Sequence, residues 1–518
     1  MKKLFIFILM VMINQSTFAD SWTDRGNYSI SWFDKSKKSF VINTPAELAG
    51  VAYLVNNGYT TFKDVTLFLG EDIFLNDHEW TAIGTNLISC FQGTFDGNSH
   101  SIYDVRMSKD SFKENKYMGF FACLIGASVK NLYIQYNDFT LDNVLRTEIN
   151  IGKITGYAED CEIRNVSAAG YFSWRTGEIS PYMRFDNLSI GGLIGKIKKS
   201  TLYNCRNGSS GLYIEIGALY AYDYYKSIGV SVGGIVGSGD DDVYTISSIY
   251  GCENRSSIEV RTGCSFNGLP YVSIGGIVGN SIGSTHIESC YNNAPNFICK
   301  NTGNKVISAS IGGIAGSDFT GPYSKGYIHN CYSSTKDITY GVWLHTQAYL
   351  KYGGISAIYK NGTNNLYSST FSPYDITVTP YNVGDDAIPL RNGFNGDNSF
   401  SSEEMKSQAF LDMLNEYSII QEGKCIWENR KIGEDFPSLI IEKASGIKNV
   451  MADLNIMPNY SIANNVLTID YSGKLIIYNS EGLVVYNCLS YKGESIRLGT
   501  SGIYIVNCNK HCFKILIK

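Results

Sequence analysis

The sequence predicts an all-β fold: a parallel β-helix (β-solenoid) with helical caps, followed by a small antiparallel β-sandwich. Three observations predict it. A glycine phrase returns at a nearly constant interval, a cysteine-bearing phrase trails each copy, and the end of the chain switches to short strands broken by glycine turns.

The glycine phrase reads Ile190-Gly-Gly-Leu-Ile-Gly195, Val232-Gly-Gly-Ile-Val-Gly237, Ile274-Gly-Gly-Ile-Val-Gly279 and Ile311-Gly-Gly-Ile-Ala-Gly316. It fades to Tyr352-Gly-Gly-Ile-Ser-Ala357, and a weaker form stands upstream as Ile151-Gly-Lys-Ile-Thr-Gly156. Successive starts lie 39, 42, 42, 37 and 41 residues apart. Such a period means stacked units, each hiding its apolar face on its neighbours. The fourth position is always Leu or Ile (Leu193, Ile235, Ile277, Ile314, Ile355), whereas the fifth drifts to Ala315 and Ser356. Neighbours on a strand point to opposite faces, which assigns the fourth residue to the core and the fifth to a more permissive side. The paired glycines are expected to permit positive φ at a corner and to leave room for the next layer.

The second phrase appears as Leu202-Tyr-Asn-Cys205, Ile249-Tyr-Gly-Cys252, Ile287-Glu-Ser-Cys290, Ile328-His-Asn-Cys331 and Leu366-Tyr-Ser-Ser369. Asn, Gly or Ser before the cysteine predicts a bend between two flat faces. Asn207, Asn254 and Asn292, two past their cysteines, are expected to stack as a ladder. Cys205, Cys252, Cys290 and Cys331 read as a packed column of unbonded thiols, because Ser369 takes the thiol's place in the last copy.

The flanks complete the plan. Lys2 and Lys3, the apolar run Leu4 to Ile13 and Thr17-Phe-Ala19 make residues 1–19 a secretory signal peptide. The first cysteine after it is Cys90, so a lipid-anchored N-terminus is not expected, and no later stretch has the length of a membrane span. A helix is expected over 45–57, with Thr44 as N-cap, Pro45 first, Glu47 three after the cap and Gly58 past the end. Its stripe of Leu48, Val51, Ala52 and Val55 suits a cap over the open first layer. Two strands hinge at Asp96-Gly97. A C-terminal capping segment spans 401–440, with a helix from Ser401 to Asn415 contacting through Met405, Phe410 and Leu414. Cys425-Ile-Trp427 and Phe436-Pro-Ser-Leu439 then close the array at its far end. The repeat domain thus covers 20–443, and the sandwich covers 449–518.

Charge bounds function from outside. The chain of 518 residues carries a net charge of −5 with 18% charged residues, which excludes a nucleic-acid footprint. No catalytic, cofactor or metal constellation stands out. Asp96 and His100 read as a turn and a strand surface rather than an acid–base pair. Asp240-Asp-Asp242 reads as a solvated loop rather than a calcium site. His286 and His329 read as exposed strand positions rather than paired metal ligands. Candidate ligand contacts are Tyr220, Tyr222, Tyr224 and Tyr225, crowded into the insertion Leu219 to Ser227, where aromatic faces suit sugar or protein. Cys508 and Cys512, in neighbouring strands of the last module, are the candidate disulfide.

The glycine phrases resemble GLUG repeats of secreted and surface-anchored bacterial proteins. Asn43-Thr-Pro-Ala-Glu-Leu-Ala, Ile83-Gly84, Phe91-Gln-Gly-Thr-Phe-Asp-Gly-Asn and the segment from Met405 through Trp427 to Phe436-Pro-Ser-Leu follow in the family's order, so the resemblance covers roughly 40–440. It implies an exported, adhesin-like β-helix stalk with no catalytic residues to carry over. The last module is similar to sorting domains of the type IX secretion route, through Met457-Pro-Asn459, Gly502-Ile-Tyr-Ile-Val506 and Lys514-Ile-Leu-Ile-Lys518. Tyr460 stands where that family has a second proline. The resemblance implies export by outer-membrane machinery to the surface or medium of a Gram-negative bacterium. The resulting expectation is a non-catalytic adhesion or interaction scaffold for a protein or glycan ligand. A carbohydrate-binding or polysaccharide-degrading β-helix is the alternative, because fold does not fix function.

Overall fold

The structure, a computed structural model, describes residues 20–107, 116–142, 148–175, 187–208, 211–216, 229–240, 242, 244–263, 271–281, 284–301, 308–317, 326–342, 349–356, 367–368, 371–373, 377–380, 398–416, 425–441, 460–463, 466–469, 473–479, 484–498, 502–508 and 511–517. The expected signal peptide and residues 444–448, between the two expected domains, fall outside them. The chain divides into two compact units, Met1–Ile441 and Glu442–Lys518.

The first unit is built of parallel sheets in which each strand pairs with its counterpart one repeat away. One sheet collects the strands that end on the first glycine: Glu148–Gly152, Asn187–Gly191, Gly229–Gly233, Tyr271–Gly275, Ser308–Gly312 and Tyr349–Gly353. Their register is residue for residue, so Ile151, Ile190, Val232, Ile274, Ile311 and Tyr352 form one file. A second sheet collects the strands that follow the bend, with Thr155, Ile194, Val236, Val278 and Ala315 in file. Apart from an antiparallel pair, Cys425–Glu428 with Ser438–Ile441, the remaining strands, including those after the cysteines, form a third parallel assembly. In these, Leu212–Ile216 and Ile258–Thr262 bury every second residue, the pattern of a strand with one face inward.

Two expectations about the glycine phrase need correction. Ile194, Val236, Val278, Ala315 and Ser356 are as fully buried as Leu193, Ile235, Ile277, Ile314 and Ile355. The phrase is not one strand. The first sheet's strand stops at Gly191, and the next begins at Ile194, so the alternation rule lapses at the bend and both residues turn inward. Nor do these glycines adopt positive φ. They are needed for space: a Cβ on Gly191 would lie 1.8 Å from the carbonyl oxygen of Ile194, and one on Gly192 would lie 2.0 Å from that of Gly234 and 2.2 Å from Asn207 Nδ2.

The left-handed residues sit at the other corner. Asn131, Asn165, Asn204, Gly251, Ser289 and Asn330 all have φ between 49° and 59°. The last four are the residues before the recurring cysteines, which confirms the bend read there from Asn, Gly and Ser.

Helix α1 (Pro45–Asn56) carries the expected capping box, with Glu47 N–H donating to Thr44 Oγ1 at 3.2 Å and Thr44 N–H to Glu47 Oε2 at 3.1 Å. It buries Leu48, Val51, Ala52 and Val55 and connects Ser39–Ile42 to Thr66–Leu69, the first pair of the third assembly. The strands around Asp96-Gly97 do not form a hairpin. Thr94–Asp96 and Ser101–Arg106 each pair in parallel with other strands, and the left-handed residues are Asn98 and Ser99.

The segment read as one helix from Ser401 is broken. A 3-10 turn (Glu404–Lys406) precedes α2 (Gln408–Glu416), because Ser407 is extended and its Oγ caps the second helix through Phe410 N–H at 3.2 Å. Met405, Phe410, Leu411, Leu414, Trp427 and Leu439 cluster with Tyr291 and Tyr332. The segment therefore docks on the flank of the stacked repeats, against Tyr291 and Tyr332.

The second unit holds two antiparallel sheets, one of Tyr460–Ala463, Val466–Ile469 and Ile496–Arg497, the other of Gly473–Asn479, Val484–Tyr491, Gly502–Cys508 and His511–Ile517. Leu467, Ile469, Leu475, Ile477, Val506 and Ile515 belong to one shared apolar cluster.

Candidate functional site

One cavity stands out in the first unit, a groove of about 600 Å³ between the flank of the repeats and the C-terminal segment. One wall comes from the strands just past the cysteines. In a strand, Cys205 and Asn207 point inward, so Arg206 between them points out. The file through Arg206 continues as Glu253, Tyr291 and Tyr332. It changes from charged to aromatic along the stack. Tyr291 and Tyr332, outward by register, are nonetheless 1% and 0% exposed, because the C-terminal segment covers them. Trp427 meets Tyr291 edge-on at 5.4 Å, Phe410 meets Tyr332 at 5.7 Å, and Tyr332 donates its hydroxyl to Pro437 O. Asn330 Nδ2 donates to Leu414 O at 3.2 Å.

Where that cover ends, the groove opens. Glu253 is buried and shared by two arginines: Arg206 Nε lies 2.5 Å from its Oε2, and Arg255 Nε donates to its Oε1. One carboxylate thus holds two guanidiniums whose outer edges line the cavity. Asn293, Ser334 and Lys336 extend this wall, and Ser402, Glu428 and Phe436 face them from the C-terminal segment. Ser402 is 6% exposed, and its Oγ has no hydrogen-bond partner among the described residues. Burial, reinforced by Glu253, pushes the Tyr291 phenol up, so it stays neutral beneath the arginines.

The residues singled out from sequence fall elsewhere. Tyr220, Tyr222, Tyr224 and Tyr225 lie outside the described residues. Cys508 pairs in register with His511, and Cys512 with Asn507, while their side chains lie outside the described residues. Asp96 ends its strand and braces the turn that follows: its Oδ1 accepts from Asn98 N–H at 2.9 Å and from Asn131 Nδ2 at 3.0 Å. His100 instead lies 3.5 Å from Asp72. Asp240 is half-buried and meets Lys198 at 3.8 Å and Lys196 at 4.0 Å, while Asp241 lies outside the described residues. His286 is in file with Tyr327, stacked at 4.2 Å, and His329 is in file with Glu288, so the two histidines are out of step.

The predicted ladder is present. Asn207 Nδ2 donates to Asn254 Oδ1 at 3.1 Å, Asn254 Nδ2 to Asn292 Oδ1 at 2.9 Å, and Asn292 Nδ2 to Ser333 Oγ at 3.1 Å, all wholly buried. The cysteine column is likewise buried and unbonded. A second ladder went unread: Asn204 Nδ2 donates to Asn165 Oδ1 at 2.7 Å, Asn165 Nδ2 to Asn131 Oδ1, and Asn131 Nδ2 to Asp96. Its signal was present in sequence, since Asn131 and Asn165 precede Leu132 and Val166 as Asn204 precedes Cys205.

The groove residues left a fainter trace. The position after the cysteine reads Arg206, Glu253, Tyr291 and Tyr332, an outward file that turns aromatic where something must cover it. Among the described residues no helix is long and apolar enough to cross a membrane. No family model matches this chain, and no curated protein or solved structure does either.

Proposed function

We propose that the chain is an exported, non-catalytic scaffold, wound as a parallel β-helix, that serves adhesion or interaction at a bacterial cell surface. One observation carries this reading. Equivalent glycines are separated by as few as 37 and as many as 42 residues, yet the files through them keep register residue for residue. All variation in length is thrown into the segments between layers. A frame that tolerates loops of different length is suited to presenting surface. The glycine-phrase resemblance and the signal-like N-terminus support export, and the antiparallel second unit supports a sorting role for 449–518.

The test is location. In a Gram-negative host that owns the type IX machinery, the full chain should be cleaved by protease added to intact cells. A chain truncated after Ile441 should be protected inside. Equal protection of both forms would refute surface display.

The carbohydrate-binding alternative is favoured by the polar groove between the repeat flank and the C-terminal segment. Its polysaccharide-degrading form is tested by incubating the purified chain with acidic polysaccharides, where release of reducing ends would replace the scaffold reading.

A further inference from the structure

We propose that the groove between the repeat flank and the C-terminal segment binds a neutral, hydroxyl-rich glycan. The proposal rests on the scaffold reading for the place where ligand is met, and on the groove alone for its chemistry.

A volume of about 600 Å³ is in the range of small-ligand sites. Five of the lining side chains are basic and five are carboxylates, so the cavity offers little net field to a polyanion. What it offers is many fixed donors and acceptors. Arg255 is held by its Nε–H bond to buried Glu253 and Arg206 by an ion pair to the same carboxylate, which restrains both guanidiniums at the groove. Arg255, Asn293 and Ser334 follow one another across successive layers, since Arg255 N–H bonds to Asn207 O, Asn293 N–H to Asn254 O and Ser334 N–H to Asn292 O. Polar groups therefore repeat at about 4.8 Å along the wall, and Ser334 Oγ donates to Asn293 Oδ1 at 2.9 Å, which fixes that amide so that the rail offers amide and guanidinium donors to sugar hydroxyls. Phe436 on the opposite wall supplies an aromatic surface, with Lys406 Nζ 5.1 Å from its centroid.

A peptide is the weaker candidate. Peptide recognition uses apolar anchor pockets or a free strand edge. The wall strands Arg206–Asn207, Glu253–Asn254 and Tyr291–Asn292 are already paired with their neighbours in the stack.

The experiment is calorimetry of the full chain without its leader against three neutral hexasaccharides (cello-, laminari- and mannohexaose), with polygalacturonate as the acidic probe. At least one neutral probe should bind. Asn293→Ala and Arg255→Gln should each weaken binding about tenfold or more, and Ser334→Trp, which fills the cavity from a partly exposed position, should abolish it. Melting temperatures within a few degrees of the parent exclude misfolding. The double variant Tyr222→Ala, Tyr224→Ala serves as control and should bind as the parent does. Loss in that control with retention in the groove variants would overturn the groove while leaving a glycan-binding scaffold. Binding of polygalacturonate alone, or of no probe, would overturn the neutral-glycan assignment, and surface display would still stand or fall by the protease test.

Discussion

Two stretches of the same stack solve one packing problem in different ways. In the layers from Asn187 to Ser356 the second glycine of each phrase faces a buried side-chain amide or hydroxyl: Gly192 meets Asn207, Gly234 meets Asn254, Gly276 meets Asn292 and Gly313 meets Ser333. Upstream, the glycine file runs through Gly152 to Gly119, and the file of the asparagines runs through Ala168 to Ile134. There the second glycine is replaced by Lys153 and Phe120. Phe120 stacks on Trp80 at 4.6 Å, Phe91 packs on Phe121 at 5.4 Å, and Lys153 is wholly buried. A polar ladder with glycines gives way to rings and a long side chain over apolar partners. The lesson is that backbone register is held by the sheets, while the interior is filled by whichever pair of residues has complementary volume.

The sharpest way to break the downstream solution is Gly234→Ala. The added methyl would sit 2.1 Å from the carbonyl oxygen of Gly276 and 2.2 Å from Asn254 Cγ. The first of these is backbone locked between layers and cannot yield. The loss should exceed about 4 kcal/mol in urea unfolding followed by circular dichroism. A cost under 1 kcal/mol would mean the layers slide apart freely. Asn254→Ala should come next. Its amide makes four bonds, to Asn207, Asn292, Ser256 O and Ser256 N–H, and truncation strands those partners in a dry interior. We expect about 3–4 kcal/mol, measured in the same way.

Lys153 sharpens the comparison from the other side, through pH. Burial lowers its pKa to about 7, against about 10.4 for a lysine in an unfolded chain. Between those values the unfolded chain holds a proton that the folded chain lacks, so stability rises with pH through the window. Below pH 7 both forms are protonated and the full penalty is felt. The expected slope is up to about 1.4 kcal/mol per pH unit between roughly 7 and 10. Lys153→Met should remove that slope and raise stability at pH 7. An unchanged slope in the variant would place the titration elsewhere.

How far the sequence could carry these arguments depends on distance along the chain. The files of glycines and asparagines were legible because each is repeated at one period, and a buried amide beside a glycine leaves a fixed two-letter trace. The inward turn of Ile194 and its equivalents was not, because strand alternation describes extended chain and says nothing inside a bend. Copies at Phe120 and Lys153 were harder to see for a related reason: the residue that marks the motif is the one their packing replaces. The groove was least legible. Arg206 and Arg255 meet Ser402 and Phe436 across more than a hundred residues, and only the change from Arg206 and Glu253 to Tyr291 and Tyr332 hinted at a cover.

The smallest expected effect concerns the cysteine column, where upstream and downstream layers again differ. Cys205, Cys252, Cys290 and Cys331 follow a file whose upstream members are Val166 and Leu132. Cys290 Sγ accepts the Cys252 N–H at 3.3 Å, and the Cys290 N–H donates to Cys331 Sγ at 3.3 Å, so each sulfur packs against its neighbour's backbone. Burial pushes the Cys252 and Cys331 thiols up, which keeps them neutral and unreactive. If packing is their whole role, Cys290→Val should cost under about 1 kcal/mol, as a volume-conserving exchange the upstream layers already make, and Cys290→Ala about 1–2 kcal/mol for the cavity. Thiol titration should find the column silent in the folded protein and fully reactive in urea. A mass two units lower per cysteine pair, with thiols missing after unfolding, would mean that adjacent layers are cross-linked, and the downstream stack would then owe part of its stability to covalent bonds that the Val166 and Leu132 layers cannot make.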